Sequence, residues 1–94
     1  MAVFAVTYDV NTPNTFLRGL LLAAIKDMGG VQLSESTYAV HFSGTAKELY
    51  QKLAVHTDAN DTLIAMQINR NCYGETSDEA KEWFLGAEEA GWFS

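Results

Sequence analysis

Residues 2–8 read Ala-Val-Phe-Ala-Val-Thr-Tyr, a run too apolar on both alternating faces for a strand with one side in water. Such a run belongs in the middle of a sheet that is covered front and back. It stops on Asp9, and a turn and an apolar helix follow at once. Thr12 is the expected N-cap, with Pro13 at the first helical position, where a missing N–H leaves no bond unmade. Phe16, Leu17, Leu20, Leu21, Ala24, Ile25 and Met28 recur at helical spacing, and Gly29-Gly30 closes the element.

A second strand begins at Val31 and leads through Glu35-Ser36 into a third, over residues 37–42. These two read equally as a tight hairpin or as one long bent strand. Thr45 and Glu48 have capping-box spacing and open a second helix, with Ala46, Leu49, Tyr50 and Leu53 inward. Residues 56–60 are polar and read as a loop, and residues 61–69 alternate as a fourth strand. Ser77-Asp78-Glu79 caps a short third helix, whose acidic first turn suits the positive end of the helix dipole. Trp83, Phe84, Trp92 and Phe93 crowd the last residues; aromatics at this density are expected to dock on the sheet or on a partner.

The 94 residues make a single domain, with a core over residues 1–69 and a helical tail over 70–94. The order strand, helix, strand, strand, helix, strand predicts an α+β, ferredoxin-like βαββαβ unit: an antiparallel four-stranded sheet, two helices on one face and an extra C-terminal helix. Phe4, Val6, Tyr8, Tyr38, Val40, Phe42, Ile64, Met66 and Ile68 are expected to face the helices. Ala5, Thr7, Ala39, His41, Ala65 and Gln67 are then left on an open face, small enough to pack against a second sheet in a symmetric dimer.

Six Lys and Arg against twelve Asp and Glu give a formal net charge of −6, and the six cations are scattered. Tight binding of nucleic-acid phosphate requires clustered cations, so the charge speaks against a strong grip on DNA. The lone Cys72 forms no internal disulfide, no run is long enough to span a bilayer, and the first residues lack a secretory n-region. A cytoplasmic setting without membrane contact is the expectation.

The strand ending in Tyr8-Asp9, the polar loop after it, the apolar helix closed by Gly29-Gly30, and then Val31-Gln32-Leu33-Ser34-Glu35-Ser36 resemble the small CRISPR-associated adaptation subunit. They look still more like its relatives, the SinR-like proteins and virulence-associated protein D. The resemblance is one of pattern and covers residues 2–69. It implies a ferredoxin-like homodimer and a mobile-element or defence setting, phage and toxin–antitoxin loci included. In some members an aspartate ending the first strand is linked to divalent-metal-dependent cleavage of RNA or DNA, and Asp9 stands at the matching position. The chain departs from the pattern in being acidic where DNA-binding members carry basic patches, and in having no arginine just after Asp9.

Asp9 falls on the open-face side of its strand, so a dimer through that face brings two Asp9 carboxylates towards one magnesium or manganese ion. The plainer alternative is an acid that ends a strand and bonds the following turn. The start of an antiparallel fourth strand carries Asp61, with Asp58 near it, to the same rim. His41, taken to lie near the end of a third strand parallel to the first, is expected there as an auxiliary group. As plain readings, Asp58 and Asp61 are solvated loop acids and His41 is a strand polar residue. Thr7, Ser34 and Ser36 lack a nucleophile motif, and Cys72 has only Arg70 as a basic neighbour in sequence. Glu75, Asp78, Glu79, Glu82, Glu88 and Glu89 form an acidic tail suited to a basic protein partner, or simply to solubility. Two functions follow from these features. One is a non-catalytic protein-interaction module; the other is a metal-dependent endonuclease centred on paired Asp9.

Overall fold

The computed structural model describes residues 1–10 and 15–93. The expected helix cap at Thr12-Pro13 lies outside these residues. Seven elements follow in order: β1 (Ala2–Asp9), α1 (Thr15–Lys26), β2 (Val31–Ser34), β3 (Thr37–Phe42), α2 (Ala46–Ala54), β4 (Thr62–Ile68) and α3 (Asp78–Glu89). The strands form one antiparallel sheet in the order β2-β3-β1-β4. This α+β arrangement is compatible with the ferredoxin-like expectation. Strand β1 is central, as its doubly apolar sequence requires. No helix among the described residues is long and apolar enough to cross a membrane.

Two helices close one face of the sheet. Leu21 and Ile25 of α1 and Leu49 and Leu53 of α2 are fully buried against Phe4 and Val6 of β1 and Tyr38 and Val40 of β3. Each such side chain removed from water contributes about 1.5–3 kcal/mol. Helix α2 begins with the predicted capping box. The Glu48 N–H donates to Thr45 Oγ1 at 3.1 Å, and the Thr45 N–H donates to Glu48 Oε1 at 3.0 Å. Two helix-end donors are thereby satisfied reciprocally.

The β2–β3 ambiguity resolves as a hairpin, turned at Glu35-Ser36 and irregular between Gln32 and Ser34. On β4, alternation is as expected but its faces are reversed. Ala65 pairs with Val6 and Leu63 with Tyr8, so Leu63 and Ala65 pack with the helix-side core. Ile64, Met66 and Ile68 pair with Thr7, Ala5 and Val3 and stand on the opposite face. Periodicity sorts a strand into two sets; only register says which set meets the core.

Helix α3 docks on that opposite face. Its Ala80 packs with Val31 and Ala39, and its Ala87 packs with Val3 and Phe93. The Ser77 side chain caps it by accepting from the Ala80 N–H at 3.2 Å. Trp83 fixes its position: the indole N–H donates to the Gly29 carbonyl at 2.8 Å. Gly29 has φ +71°, and a Cβ there would lie 2.9 Å from His41 Nε2. Glycine is therefore required both by the left-handed turn ending α1 and by the imidazole beside it. The tail thus covers the sheet of its own chain.

Candidate functional site at the end of the first strand

Asp9 is the last residue of β1, pairs with Thr62 of β4 and is exposed. Alternation along β1 puts it on the same side as Val3, Ala5 and Thr7, as expected. It opens onto a cleft of about 610 Å³ whose walls include Thr7, Arg18, Glu35, Ser36 and Thr62. Arg18, in α1, donates from Nη2 to the Val10 carbonyl at 3.0 Å and so pins the chain just after the strand. Thr37 Oγ1 donates to Thr7 Oγ1 at 3.1 Å, and the Tyr8 N–H donates to the Ser36 carbonyl at 3.0 Å. The wall on the hairpin side is therefore fixed by β1 itself.

On the helix side of the same rim, Tyr8 and Tyr38 stack with ring centroids 6.4 Å apart. Burial pushes the Tyr8 hydroxyl pKa up, the neighbouring Tyr38 adds to the rise, and the Arg18 charge opposes it. A neutral phenol beside a guanidinium supplies a hydrogen-bond donor pair. Asp9 supplies a carboxylate, and Glu35 lines the same cleft as a second acid. Nothing in the sequence periodicity marks Arg18 or Glu35. Their signal is positional: a residue early in α1 and the β2–β3 turn both return to the end of β1 in this topology.

Asp61 does reach this rim, next to Thr62, but its carboxylate serves its own loop. Oδ2 accepts the Asp58 N–H at 3.0 Å, while Asp58 Oδ1 accepts the Asn60 N–H at 3.0 Å. The loop between α2 and β4 is thus tied by its own acids. Among the described residues, no three His, Cys, Asp or Glu side chains converge as a metal site would need.

His41 is not at this rim. Strand β3 runs antiparallel to β1, not parallel, and His41 pairs with Val3. It lies six positions along β1 from Asp9, roughly 20 Å at about 3.4 Å per residue. There its ring joins Trp92, at 4.4 Å, and Trp83, at 6.2 Å, in a triangle of rings whose third side, Trp83 to Trp92, is 6.3 Å, while Nδ1 lies 2.9 Å from the Met1 sulfur. His41 belongs to the docking of the tail.

The expected dimer face also changes. Ala39 is fully buried under α3, and Ala65 and Gln67 fall on the helix side through their partners Val6 and Phe4. Ala5 and Thr7 remain on the open part of the face, joined there by Ile64 and Met66, which are 46% and 48% exposed. Glu75, Asp78, Glu79 and Glu82 are all exposed, and Glu75 Oε2 pairs with Lys81 Nζ at 3.1 Å. An exposed pair of this kind contributes about 0–1 kcal/mol.

A second hollow, of about 700 Å³, lies between α3 and the segment leading into it, over Leu33, Ile68, Phe84 and Phe93. Its presence depends on where the tail crosses the sheet, for which the sequence carries no signal. No family model, no curated protein and no solved structure matches the chain.

Proposed function

We propose that the protein is a homodimeric, ferredoxin-like protein-interaction module of the cytoplasm that recognises a basic protein surface through the acids of its C-terminal helix. The observation that carries this reading is the two-sidedness of α3. Ala80 and Ala87 are buried on the sheet and Trp83 and Phe84 pack beside them, which leaves Asp78, Glu79, Glu82, Glu88 and Glu89 in water. Lys81 is the one cation on the helix, and Glu75 already engages it. Rigidly mounted acids of one sign steer a cationic partner and fix its orientation. The ferredoxin-like assignment is supported by the sheet order with β1 and β3 central and by α1 and α2 sharing one face. A mobile-element or defence setting accords with the resemblance to SinR-like proteins.

The test is affinity capture from cells with the wild type beside Asp78→Asn/Glu79→Gln/Glu82→Gln. The expected result is a basic protein retained by the wild type, released by moderate salt and lost with the triple variant. Retention that ignores these substitutions overturns the reading.

The exposed position of Asp9 on the open side of β1 favours a second reading, a magnesium- or manganese-dependent endonuclease acting on RNA or DNA. Two Asp9 carboxylates brought together across a dimer twofold would hold the ion, which would supply an activated water and a Lewis acid for phosphate. Labelled RNA and DNA are incubated with each metal, wild type beside Asp9→Ala. Cleavage that disappears in the variant while the fold is retained selects this reading over the first.

A further inference from the structure

We propose that two copies of the chain join through the outer edge of β4, with their β4 strands antiparallel and Ala65 at the twofold, as one continuous sheet. The proposal rests on the homodimer reading above and names the surface that makes it; Asp9 lies three positions from this twofold and one strand inside the edge, so the dimer does not pair the two Asp9 residues.

The two edges of the sheet are unlike. The β2 edge is four residues long and irregular at Gln32/Ser34, and Thr76 Oγ1 donates to its Leu33 carbonyl at 3.1 Å. Shortness, irregularity and cover are the usual protections of an edge. Strand β4 has none of them. Its seven residues, Thr-Leu-Ile-Ala-Met-Gln-Ile, hold no charge and no proline and run in unbroken register with β1. Among the described residues no strand lies beyond it.

Hydrogen-bond direction decides which groups wait at that edge. The Tyr8 N–H donates to Ser36, beside β3, so the even-numbered residues of β1 bond towards β3 and the odd-numbered ones towards β4. The partners of the odd residues are Thr62, Ile64, Met66 and Ile68. The N–H and C=O groups of Leu63, Ala65 and Gln67 therefore point outward. A twofold perpendicular to a sheet sets one residue opposite its own copy. With Ala65 in that place, Leu63 meets Gln67 of the second copy, and all three outward residues exchange bonds.

The same register completes the side chains. Ile64 and Met66 of one copy meet Met66 and Ile64 of the other in the closer, non-hydrogen-bonded pairs, so the half-exposed apolar residues of the open face cover one another. Asp61 comes opposite Asn69 of the second copy, one step from its Arg70, so opposite charges approach at both ends of the ribbon. A chain of net charge −6 repels its copy over most of its surface, and this edge is an uncharged stretch flanked by complementary ends.

The experiment uses the full chain with two variants, analysed by sedimentation and by light scattering after gel filtration. Ala65→Pro removes an N–H that β1 does not use, so the fold is expected to persist by circular dichroism while the mass falls from two chains to one. Ala65→Cys, in a Cys72→Ser background, places two thiols at the twofold and is expected to give a covalent dimer on mild oxidation. A wild-type dimer that survives Ala65→Pro and forms no Ala65→Cys crosslink places the contact elsewhere: this proposal fails and the homodimer reading stands. A wild type that remains monomeric up to hundreds of micromolar overturns both.

Discussion

The two faces of the sheet are covered in different ways. On one, α1 and α2 bury an apolar core in which Phe4, Leu21, Ile25, Leu49 and Leu53 are wholly out of water. On the other, α3 covers the end near Val3, Ala39 and Ile68 with aromatic rings, and leaves Thr7, Ile64 and Met66 at the other end. The first face is built by side chains that have nowhere else to go. The second is held by a few directed contacts, such as the Trp83 bond to Gly29 and the stack of Phe84 on Phe93 at 5.9 Å. Stability is expected to reside mainly in the first face and recognition in the second.

The largest expected effect is on the helix face. Leu53→Ala leaves a cavity in close-packed surroundings and should lower unfolding free energy by about 2–5 kcal/mol, read from urea denaturation. On the other face Trp83→Ala should lose about 2 kcal/mol, since the indole is only partly buried and gives up ring contacts and one hydrogen bond. A loss as large as that of Leu53→Ala would make the two faces equal partners. Trp83→Phe should recover most of the packing but not the bond to Gly29, leaving a deficit of about 1 kcal/mol.

The third effect sharpens the contrast from the rim of the helix face. Because folding raises the Tyr8 pKa, the neutral phenol is favoured in the native state. The corresponding stability is fully present below the ordinary tyrosine value of about 10 and is lost as pH rises through the higher folded value. Denaturant midpoints should therefore fall above pH 10, and fall less steeply in Tyr8→Phe. The smallest effect belongs to the uncovered patch. Ile64→Ser, measured at dilutions where the chain is monomeric, should change stability by no more than about 0.5 kcal/mol.

Those parts of the fold that rest on local chemistry were readable in the residues. The doubly apolar first strand, the Thr45–Glu48 box and the Ser77 cap each encode their own environment, and each is present. What failed depended on how one element lies against another. The two sets of β4 were identified, but their faces follow from pairing with β1, which no single strand encodes. The same dependence moved His41 to the far end of the sheet, because its place follows from the direction of β3. At the candidate site Asp9 was visible as a strand-ending acid. Arg18 and Glu35 were not, because only the folded turns bring them to the same cleft.

Val3, in the first strand, is sealed from water by Ala87 and Phe93. Ala87 follows Val3 by 84 positions, which at about 5–20 residues per second is roughly 4–17 seconds of synthesis on a ribosome. During that interval the strand that organises the sheet has one face without its cover. The aromatic segment is thus added to the nascent chain after all four strands, and its arrival marks the moment when that end of an emerging sheet ceases to be a sticky surface.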